Sequence, residues 1–401
     1  MFKDYDIRGI YPKEINESVA IFLTKKFLNY LNKAKKYNNC LLIAQDIRNS
    51  SFRIVNTIIR YLEKNKLKYS FLGIIPTPVF YYFCLRNKLP GIMITASHLQ
   101  IKYNGFKFFL PNNKIWIYKK NIKEENLEKE NVFNLNIRYL DNEVYDNYLI
   151  YLKDFVNLKY LHTFYFQKNI KSTNNFLFKR IPKVFKNIRL NKNSSLLLFS
   201  DYDGDRLFIK YKGKYLISEE ILFCILSSGL YKNIGLPLSI HKNIKKFFPE
   251  INFYTVKTGH NNIKNFYRKY NLDFALEPSG HFYFFKEVKT ESPILAFFRL
   301  LEFIEKSENK EIKSSNLFPL KRFNTKDHSL IKKIKKYIIK NKFKVKKMDG
   351  LYGYKNFDKE NYLGIHFRKS KTEKNLWRIF VESNNVKNIK NFMLKLKSQN
   401  D

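Results

Sequence analysis

The sequence has little cysteine, little acid and few long apolar runs, and these shortages limit the classes of protein to which it can belong. Its 401 residues include 3 cysteines, and no two of them are spaced as a CxxC pair. This excludes a disulfide framework and indicates a reducing compartment. Asp and Glu number 35 against 75 Lys and Arg, which gives a formal net charge of +40. Hydrophobic content of 44% is still high enough to build substantial cores.

The basic excess has two interpretations. It could serve a polyanion through phosphate contacts. It could also be compositional drift, because the abundant residues Lys, Asn, Ile, Phe and Tyr all have A/T-rich codons. The lysines are scattered along the chain, not gathered in one tail or helix. We favour drift and expect no specific nucleic-acid partner, because net charge by itself bears on solubility and non-specific association.

One uncharged stretch approaches the length of a membrane span. Residues 69–85 carry no charge, but Gly73, Pro76 and Pro78 would interrupt a helix there. The stretch therefore predicts a strand, a turn and the start of a helix. The N-terminus has acidic residues where a signal peptide has its apolar run. We expect a cytoplasmic protein with no membrane partner.

Apolar strands followed by polar loops predict an α/β fold. Cys40–Gln45, Ser70–Ile75 and 91–95 are such strands, and a helix is expected from about 52 to 64. This alternation predicts a largely parallel sheet, whose functional loops lie at the carboxyl ends of strands. Ser97 falls at such an end.

Later segments show the same kind of pattern. We predict strands at 195–200, 274–276 and 378–382, helices near 219–226, 294–305 and 328–340, and a hairpin at Asp349-Gly350. Residues 306–313 have the charge of a surface linker. The periodicity of 121–193 is too weak to assign elements.

Two segments carry the strongest chemical signal. Asp201, Asp203 and Asp205 alternate directly after an apolar strand, and all-oxygen ligands favour Mg²⁺ over Zn²⁺. The spacing excludes an EF-hand. An acidic turn built around Gly204 is the structural alternative, and a phosphatase with Asp201 as nucleophile is the catalytic one. Together with a phosphate-carrying Ser97, the three carboxylates would form a phosphoryl-transfer site.

The neighbours of Ser97 are weaker evidence. A serine after a strand is usually a turn or N-cap residue. His98 is adjacent in sequence, which usually directs the two side chains apart. The turn at Asn104-Gly105 could return Lys107 toward Ser97 as a cation or proton-transfer group.

Three further loops could bind a sugar phosphate. Residues 257–260 and 277–281 are small polar loops whose Glu and Ser could hold sugar hydroxyls; ordinary loop histidines are the alternative. Residues 368–373, with Arg378, combine guanidinium groups and hydroxyls that suit a phosphate dianion, and a solvated basic loop is the alternative.

Taken in chain order, seven segments resemble the α-D-phosphohexomutase superfamily, most closely its phosphomannomutase/phosphoglucomutase branch. Individually they are modest matches, but seven in the family's order are specific. They are Asp4–Gly9 (DYDIRG), Asp46–Ser51 (DIRNSS), Thr95–Lys107 (TASH…YNGFK), Asp201–Arg206 (DYDGDR), Lys257–His260 (KTGH), Glu277–His281 (EPSGH) and Arg368–Glu373 (RKSKTE).

The resemblance implies three similar α/β mixed-sheet domains and a smaller α+β C-terminal domain around a central cleft. The expected domains are 1–140 with the phosphoserine loop, 141–215 with the metal loop, 216–315 with the sugar loop and 316–401 with the phosphate-binding loop. It further implies a cytoplasmic isomerase that interconverts hexose 6-phosphate and hexose 1-phosphate, of mannose and/or glucose. The cofactors implied are one Mg²⁺ per site and a hexose 1,6-bisphosphate. The partners implied are a phosphosugar substrate and, at most, a second copy in a weak dimer.

The resemblance also implies a role for each matched residue. Catalytic roles fall to Ser97, Lys107, His260 and Arg8, with Lys107 and His260 as candidates for proton transfer. The metal would be held by Ser97, Asp201, Asp203 and Asp205. Substrate would be bound by Tyr5, Arg206, Lys257, Thr258, Gly259, Glu277, Ser279, His281, Arg368, Ser370, Thr372 and Arg378.

The chain departs from the family pattern at several places. Leu99-Gln100 replace the usual Asn-Pro, Lys371 and Lys374 stand in the phosphate loop, and residues 289–292 (KTES) replace an acidic DDG-type segment. The second domain is also short. These departures bear on rate more than on reaction class. Phosphoglucosamine mutase, and a decayed scaffold that binds a polyanion, remain alternative functions.

Overall fold

The computed structural model describes residues 7–34, 40–118, 141–167, 171–307, 312, 318–358, 361–370, 373 and 375–397. Tyr5, Lys371, Thr372 and Lys374 lie outside these residues. The chain forms two compact units. The first unit contains Met1–Leu216 and Ser279–Glu305, and the second contains Ile217–Pro278 and Lys306–Asp401.

The first unit begins with alternating helices and strands. These elements are β1 (Ile7–Ile10), α1 (Glu17–Lys33), β2 (Cys40–Gln45), α2 (Asn49–Lys64), β3 (Lys68–Ile74), α3 (Thr77–Arg86), β4 (Gly91–Ile94), β5 (Tyr103–Leu110), β6 (Lys114–Trp116), α4 (Asp141–Lys153), β7 (His162–Phe166), α5 (Asn174–Val184), β8 (Ile188–Leu190), β9 (Leu196–Phe199), β10 (Phe208–Tyr211) and β11 (Lys214–Tyr215).

The second unit continues with α6 (Ser218–Leu226), β12 (Asn233–Leu236), α7 (Ile244–Phe247), β13 (Asn252–Thr255), α8 (His260–Tyr270) and β14 (Phe274–Glu277). The chain then returns to the first unit for β15 (His281–Phe284), β16 (Thr290–Glu291) and α9 (Pro293–Lys306). The second unit ends with β17 (Leu320–Thr325), α10 (His328–Lys340), β18 (Lys344–Lys347), β19 (Leu351–Asn356), β20 (Tyr362–Lys369), β21 (Trp377–Ser383) and α11 (Val386–Lys397).

The sheets other than the last are mixed, as expected from the family resemblance. In the first sheet, of order β1-β5-β4-β2-β3, strand β2 runs parallel to β3 and β4. Strand β5 runs antiparallel to β1, β4 and β6. The prediction of a largely parallel sheet therefore holds only for β3, β2 and β4. The predicted turn at Asn104-Gly105 is wrong, because both residues lie within β5 and pair with β1. The chain instead reverses in the loop 95–102 that carries Ser97, so β5 pairs back against β4.

A second sheet in the first unit has the order β11-β10-β9-β7-β8. Its β7 and β8, with helices α4 and α5, lie in the region where the sequence pattern was too weak to assign elements. In the second unit, β12 runs parallel to β13 and β14. The last sheet, β17-β21-β20-β19-β18, is antiparallel throughout.

Helical spacing of apolar residues builds the cores. On α1, Val19, Leu23 and Phe27 are buried at four-residue intervals, and Asn16 caps the helix by accepting from Val19 N at 3.0 Å. On α10, Ile331, Ile334 and Ile338 do the same for the last sheet. The predicted helices and strands are confirmed with shifts of a few residues at their ends.

The uncharged stretch 69–85 forms the end of β3, a turn and α3, as predicted. Among the described residues, no helix combines the length and the apolar character that crossing a membrane would require. The three cysteines are free thiols.

Candidate active site

Ser97 lies in the loop that follows β4 in the first unit. Its φ is +52°, a left-handed conformation that is uncommon for a residue with a side chain. The Oγ1 atom of Thr95 accepts a hydrogen bond of 2.8 Å from Ser97 N, which helps to hold this turn. The Ser97 side chain is buried. Strained turns of this kind occur frequently at functional sites.

The three aspartates of the metal loop converge, as predicted. One carboxylate oxygen from each of Asp201, Asp203 and Asp205 lies within 4.8 Å of the others. Burial and the charges of Asp205 and Asp203 raise the pKa of Asp201 well above its ordinary value. Three carboxylates at this spacing, two of them buried and one half-buried, would be stabilised by a cation.

The donor set fits Mg²⁺. All three side chains offer oxygen, the ligand that Mg²⁺ prefers. The Oδ1 atom of Asp203 is buried and has no hydrogen-bond partner among the described residues. Such an atom suits a metal ligand, because burying an oxygen without a partner is costly.

Gly204 allows the metal loop to turn. Its φ is +69°, and a Cβ there would lie 2.8 Å from Asn174 Oδ1 and 2.9 Å from Pro76 Cβ. The Nδ2 atom of Asn174 donates to the Gly204 carbonyl at 3.0 Å and to Ser200 Oγ at 2.7 Å. The alternative interpretation, an acidic turn around Gly204, also expects this positive φ. The same turn brings the three carboxylates together, so its presence does not argue against a metal loop.

Lys107 supplies a positive charge beside two of the aspartates. Its Nζ atom donates to Asp203 Oδ2 at 2.7 Å and to Asp205 Oδ2 at 2.9 Å. Burial lowers the pKa of Lys107, but the two carboxylates more than offset this, and the pKa lies well above its ordinary value. Lys107 therefore carries a proton in this arrangement, and its positive charge offsets part of the negative charge of Asp203 and Asp205.

A chain of contacts joins Ser97 to the metal loop. Ser97 Oγ lies 3.4 Å from His98 Nδ1, and His98 Nδ1 lies 3.0 Å from Arg206 Nη2. Arg206 Nε lies 3.6 Å from Asp201 Oδ2. The expectation that His98 points away from Ser97 is wrong, because the left-handed turn at Ser97 brings the two side chains to the same side.

His98 is an acceptor in this chain. Arginine can only donate, so Arg206 requires an unprotonated Nδ1 on His98. Burial, with the positive charges of Arg206 and Arg8, lowers the pKa of His98 to about 2. Such a weak base orients the Ser97 hydroxyl but does not remove its proton.

Two more predicted residues lie near this chain. Arg8, on β1, pairs in register with Gly105 of β5, and its charge contributes to the lowered pKa of His98. His281, at the start of β15, accepts from Arg206 Nε through Nε2 at 3.2 Å. Its Nδ1 lies 3.8 Å from Asp205 Oδ1 and 3.9 Å from Glu291 Oε2.

Glu291 was not predicted as a site residue. Residues 289–292 stand in place of the family's acidic segment, so no acidic site residue was expected there. The Glu291 side chain is nevertheless completely buried on β16, and its carboxylate faces His281. An acidic residue kept inside a Lys-rich segment was the available signal. Ser279 lies half-buried in the turn between β14 and β15, in the first unit.

The loop of residues 257–260, in the second unit, contacts Glu277. Lys257 is exposed, and Glu277 accepts from Gly259 N at 2.8 Å. His260 begins α8. The Asn262 side chain donates to the Thr258 carbonyl at 2.7 Å, which closes the first turn.

The predicted phosphate loop lies at the end of a strand pair. Arg368 of β20 and Arg378 of β21 are directly opposite in register. Asp349 was not predicted here: its Oδ2 accepts from Thr258 N at 3.0 Å and lies 3.8 Å from Arg368 Nε. Asp349 therefore connects the loop 257–260 to Arg368 of the predicted phosphate loop, within the second unit.

Arg378 and Ser370 contact the same acid. Arg378 Nη2 lies 3.2 Å from Glu373 Oε1, and Ser370 Oγ accepts from Glu373 N at 3.2 Å. These contacts place two predicted phosphate ligands around one short loop.

Comparison with known proteins assigns the chain to a family. A family model described as phosphoglucomutase/phosphomannomutase, alpha/beta/alpha domain I, matches residues 1–130. The model for domain III of the same family matches residues 231–318. Together the two matches span more than half of the chain. The chain belongs to the α-D-phosphohexomutase superfamily.

Two relatives of this phosphohexomutase match most of its length. It is 28% identical to a phosphomannomutase from Methanocaldococcus jannaschii, over 99% of this chain and 97% of the relative. It is 23% identical to a phosphoglucosamine mutase from Dictyoglomus turgidum, over 78% of this chain and 79% of the relative.

Solved structures share the fold. A phosphoglucomutase/phosphomannomutase family protein from Burkholderia thailandensis superimposes with a TM-score of 0.77 at 19% identity, covering 98% of this chain and 96% of that one. Two structures of Aspergillus fumigatus N-acetylphosphoglucosamine mutase superimpose with TM-scores of 0.54 and 0.56, each at 10% identity. They cover 94% and 92% of this chain, and 78% of the other chain in both cases. One contains glucose 1,6-bisphosphate, and the other contains GlcNAc-6P and magnesium.

Proposed function

We propose that this phosphohexomutase interconverts the 1- and 6-phosphates of mannose and/or glucose. The reaction would pass through phosphorylated Ser97 and a hexose 1,6-bisphosphate. The observation that carries the proposal is the contact chain from Ser97 through His98 and Arg206 to Asp201, within one compact unit. A serine hydroxyl, a fixed guanidinium and a carboxylate metal loop are the parts that phosphoryl transfer needs.

In the first half-reaction, the bond from phosphorus to Ser97 oxygen breaks and a bond from phosphorus to a sugar hydroxyl oxygen forms. The sugar hydroxyl loses its proton, and the Ser97 oxygen gains one. Arg206 lies where its positive charge would stabilise the transferring group. Bound to the three aspartates, Mg²⁺ would neutralise phosphate-oxygen charge during the transfer. The second half-reaction reverses these changes with the other phosphate of the bisphosphate.

The family resemblance assigns the remainder of the ligand to other loops. Glu277, with Ser279, is proposed to bind sugar hydroxyls, and Arg368 with Arg378 to bind the phosphate that is not transferred. The opposed arginines on β20 and β21 support this role, because two guanidinium groups suit one phosphate dianion. Lys107 and His260 stay predicted proton-transfer residues.

Two assays test the proposal together. Mannose 1-phosphate, glucose 1-phosphate and glucosamine 1-phosphate are supplied separately with Mg²⁺ and a trace of the matching 1,6-bisphosphate, and the 6-phosphate is measured. Glucosamine phosphate is included because the relatives include a phosphoglucosamine mutase. Phosphopeptide mapping of the same sample locates the phosphate, which we expect on Ser97.

The matched variants are Ser97→Ala and Ser195→Ala. Ser195 is an exposed serine of the same unit, so its variant should keep full activity. Ser97→Ala should lose the phosphate and at least about 10³-fold of the activity, because the covalent step is removed. Full mutase activity in Ser97→Ala would refute the mechanism, and net phosphate release in place of isomerisation would indicate a phosphatase.

A further inference from the structure

Arg48 is a buried arginine of the Asp46–Ser51 segment, and it was not among the predicted site residues. Its guanidinium makes four hydrogen bonds to backbone carbonyls of the loop that carries Ser97. Nη2 donates to Ser97 O at 2.6 Å and to Leu99 O at 2.6 Å. Nη1 donates to Gln100 O at 2.7 Å and to Tyr103 O at 3.0 Å.

The fifth donor of the guanidinium fixes its direction. Arg48 Nε donates to Asp46 Oδ2 at 2.8 Å, and Asp46 Oδ1 accepts from Ser51 Oγ at 2.7 Å. All five N–H donors of Arg48 therefore have acceptors, a set that only a planar guanidinium provides. A lysine has three donors, so it cannot replace this pattern.

The Arg48 guanidinium also contacts the metal loop. Its Cζ lies 4.6 Å from the ring centroid of Tyr202, the residue between Asp201 and Asp203. One side chain thus holds the backbone from Ser97 to Tyr103 and packs against the loop that carries the carboxylates.

We propose that Arg48 is a positioning residue that sets the Ser97 turn relative to the metal loop. The role rests on the proposed function, since it concerns the placement of the serine that accepts and returns phosphate. The carbonyls of Leu99 and Gln100, which stand in place of the family's usual Asn-Pro, are part of what Arg48 holds. Their side chains are not needed for it.

The test compares Arg48→Lys with Arg299→Lys. Arg299 is a matched control, because it is also buried in the first unit and bonded to a carbonyl, that of Phe155, and to two acids. We expect Arg48→Lys to lower kcat about 100-fold with KM changed less than about threefold, since a small displacement of a reacting group has this cost. Arg299→Lys should lower thermal stability and leave kcat within about twofold.

Hydrogen exchange of the loop amides gives a readout that needs no substrate. Leu99 N and Tyr103 N donate within the loop, to Ala96 O and Gln100 O, and should exchange faster in Arg48→Lys but not in Arg299→Lys. A second variant, Tyr202→Leu, removes the ring beside the guanidinium. It should lower kcat about 10-fold, and it takes the place of Arg48→Lys if that variant does not fold.

The outcomes separate this role from the proposed function. If wild-type protein has no mutase turnover, the proposed function fails, and loop exchange still decides the role of Arg48. If wild-type protein turns over and folded Arg48→Lys, or Tyr202→Leu in its place, keeps both kcat and loop exchange, the positioning role is overturned. Partial rescue of Arg48→Ala by added guanidinium ion, with no such effect on Arg299→Ala, would support it.

Discussion

Replacing Lys107 with methionine would test how the metal loop is neutralised. Methionine keeps an unbranched apolar side chain of similar length but removes the ammonium group that contacts Asp203 and Asp205. The side chains of this contact are at most 5% exposed, so solvent would replace little of the lost charge.

The expected cost follows from this burial. Removing one partner of a buried ion pair destabilises a protein by about 3–5 kcal/mol. For a domain of 150–250 residues each kcal/mol lowers Tm by about 2–4 °C, so the first unit should lose about 6–20 °C in EDTA. Mg²⁺ at 100 times its Kd adds about 2.7 kcal/mol of stability. Because the variant lacks a competing positive charge, Mg²⁺ should bind it more tightly and raise its Tm more than that of wild type.

Thermal unfolding with EDTA and across a Mg²⁺ titration measures both effects. Lys102→Met, which changes an exposed lysine of the same unit, is the control for loss of one charge. The reasoning fails if Lys107→Met matches wild type within about 2 °C in EDTA. It also fails if Mg²⁺ shifts the Tm of both proteins equally.

Three further results are expected. Gly204→Ala should lower the free energy of unfolding by about 2–4 kcal/mol in chemical unfolding, because the new Cβ would clash with Asn174. Gly213→Ala is the control: it is also at positive φ but has nothing within 4 Å, so it should lose about 1 kcal/mol. Equal losses in the two variants would contradict this explanation. Asp203→Asn should weaken Mg²⁺ binding at least about 10-fold in calorimetry, because a buried anionic ligand becomes neutral, and unchanged affinity would exclude Asp203 as a ligand. Burial lowers the pKa of His366 to about 4 from its ordinary 6.5, so the unfolded chain binds a proton first and stability should fall by up to about 3 kcal/mol as pH drops from 6.5 to 4. His366→Gln should flatten that slope in unfolding measured across pH, and an unchanged slope would assign it to other groups.

The sequence predicted the elements that have strong local patterns. The periodicity of α10 and the apolar runs of β2 and β9 specify helix and strand without help from distant residues. Residues 141–190 were not assigned, because their polar composition hides the pattern. Their helices and strands bury residues such as Tyr148, Phe164 and Phe178, and the rings of Phe164 and Phe178 contact each other.

The residues of the candidate site also differ in how well the sequence predicts them. The three aspartates and Gly204 could be predicted, because alternate carboxylates after a strand converge by local geometry. Arg48, Glu291 and Asp349 could not, since each contacts a residue at least ten positions away, and no local spacing encodes such a contact. The direction of His98 depended on the left-handed conformation of Ser97, which the sequence does not specify for a non-glycine residue.

The sequence by itself determined the α/β class and the family, because these depend on side-chain chemistry in a fixed order. The same order names the residues that are proposed to carry phosphate, metal and sugar. Only the tertiary structure decided which charges meet. It placed Lys107 between two aspartates and made His98 an acceptor for Arg206. It also directed four of the five donors of Arg48 to backbone carbonyls of residues 97–103. The physical reason is that burial makes each of these polar contacts strong and directional, and burial is created by the fold as a whole.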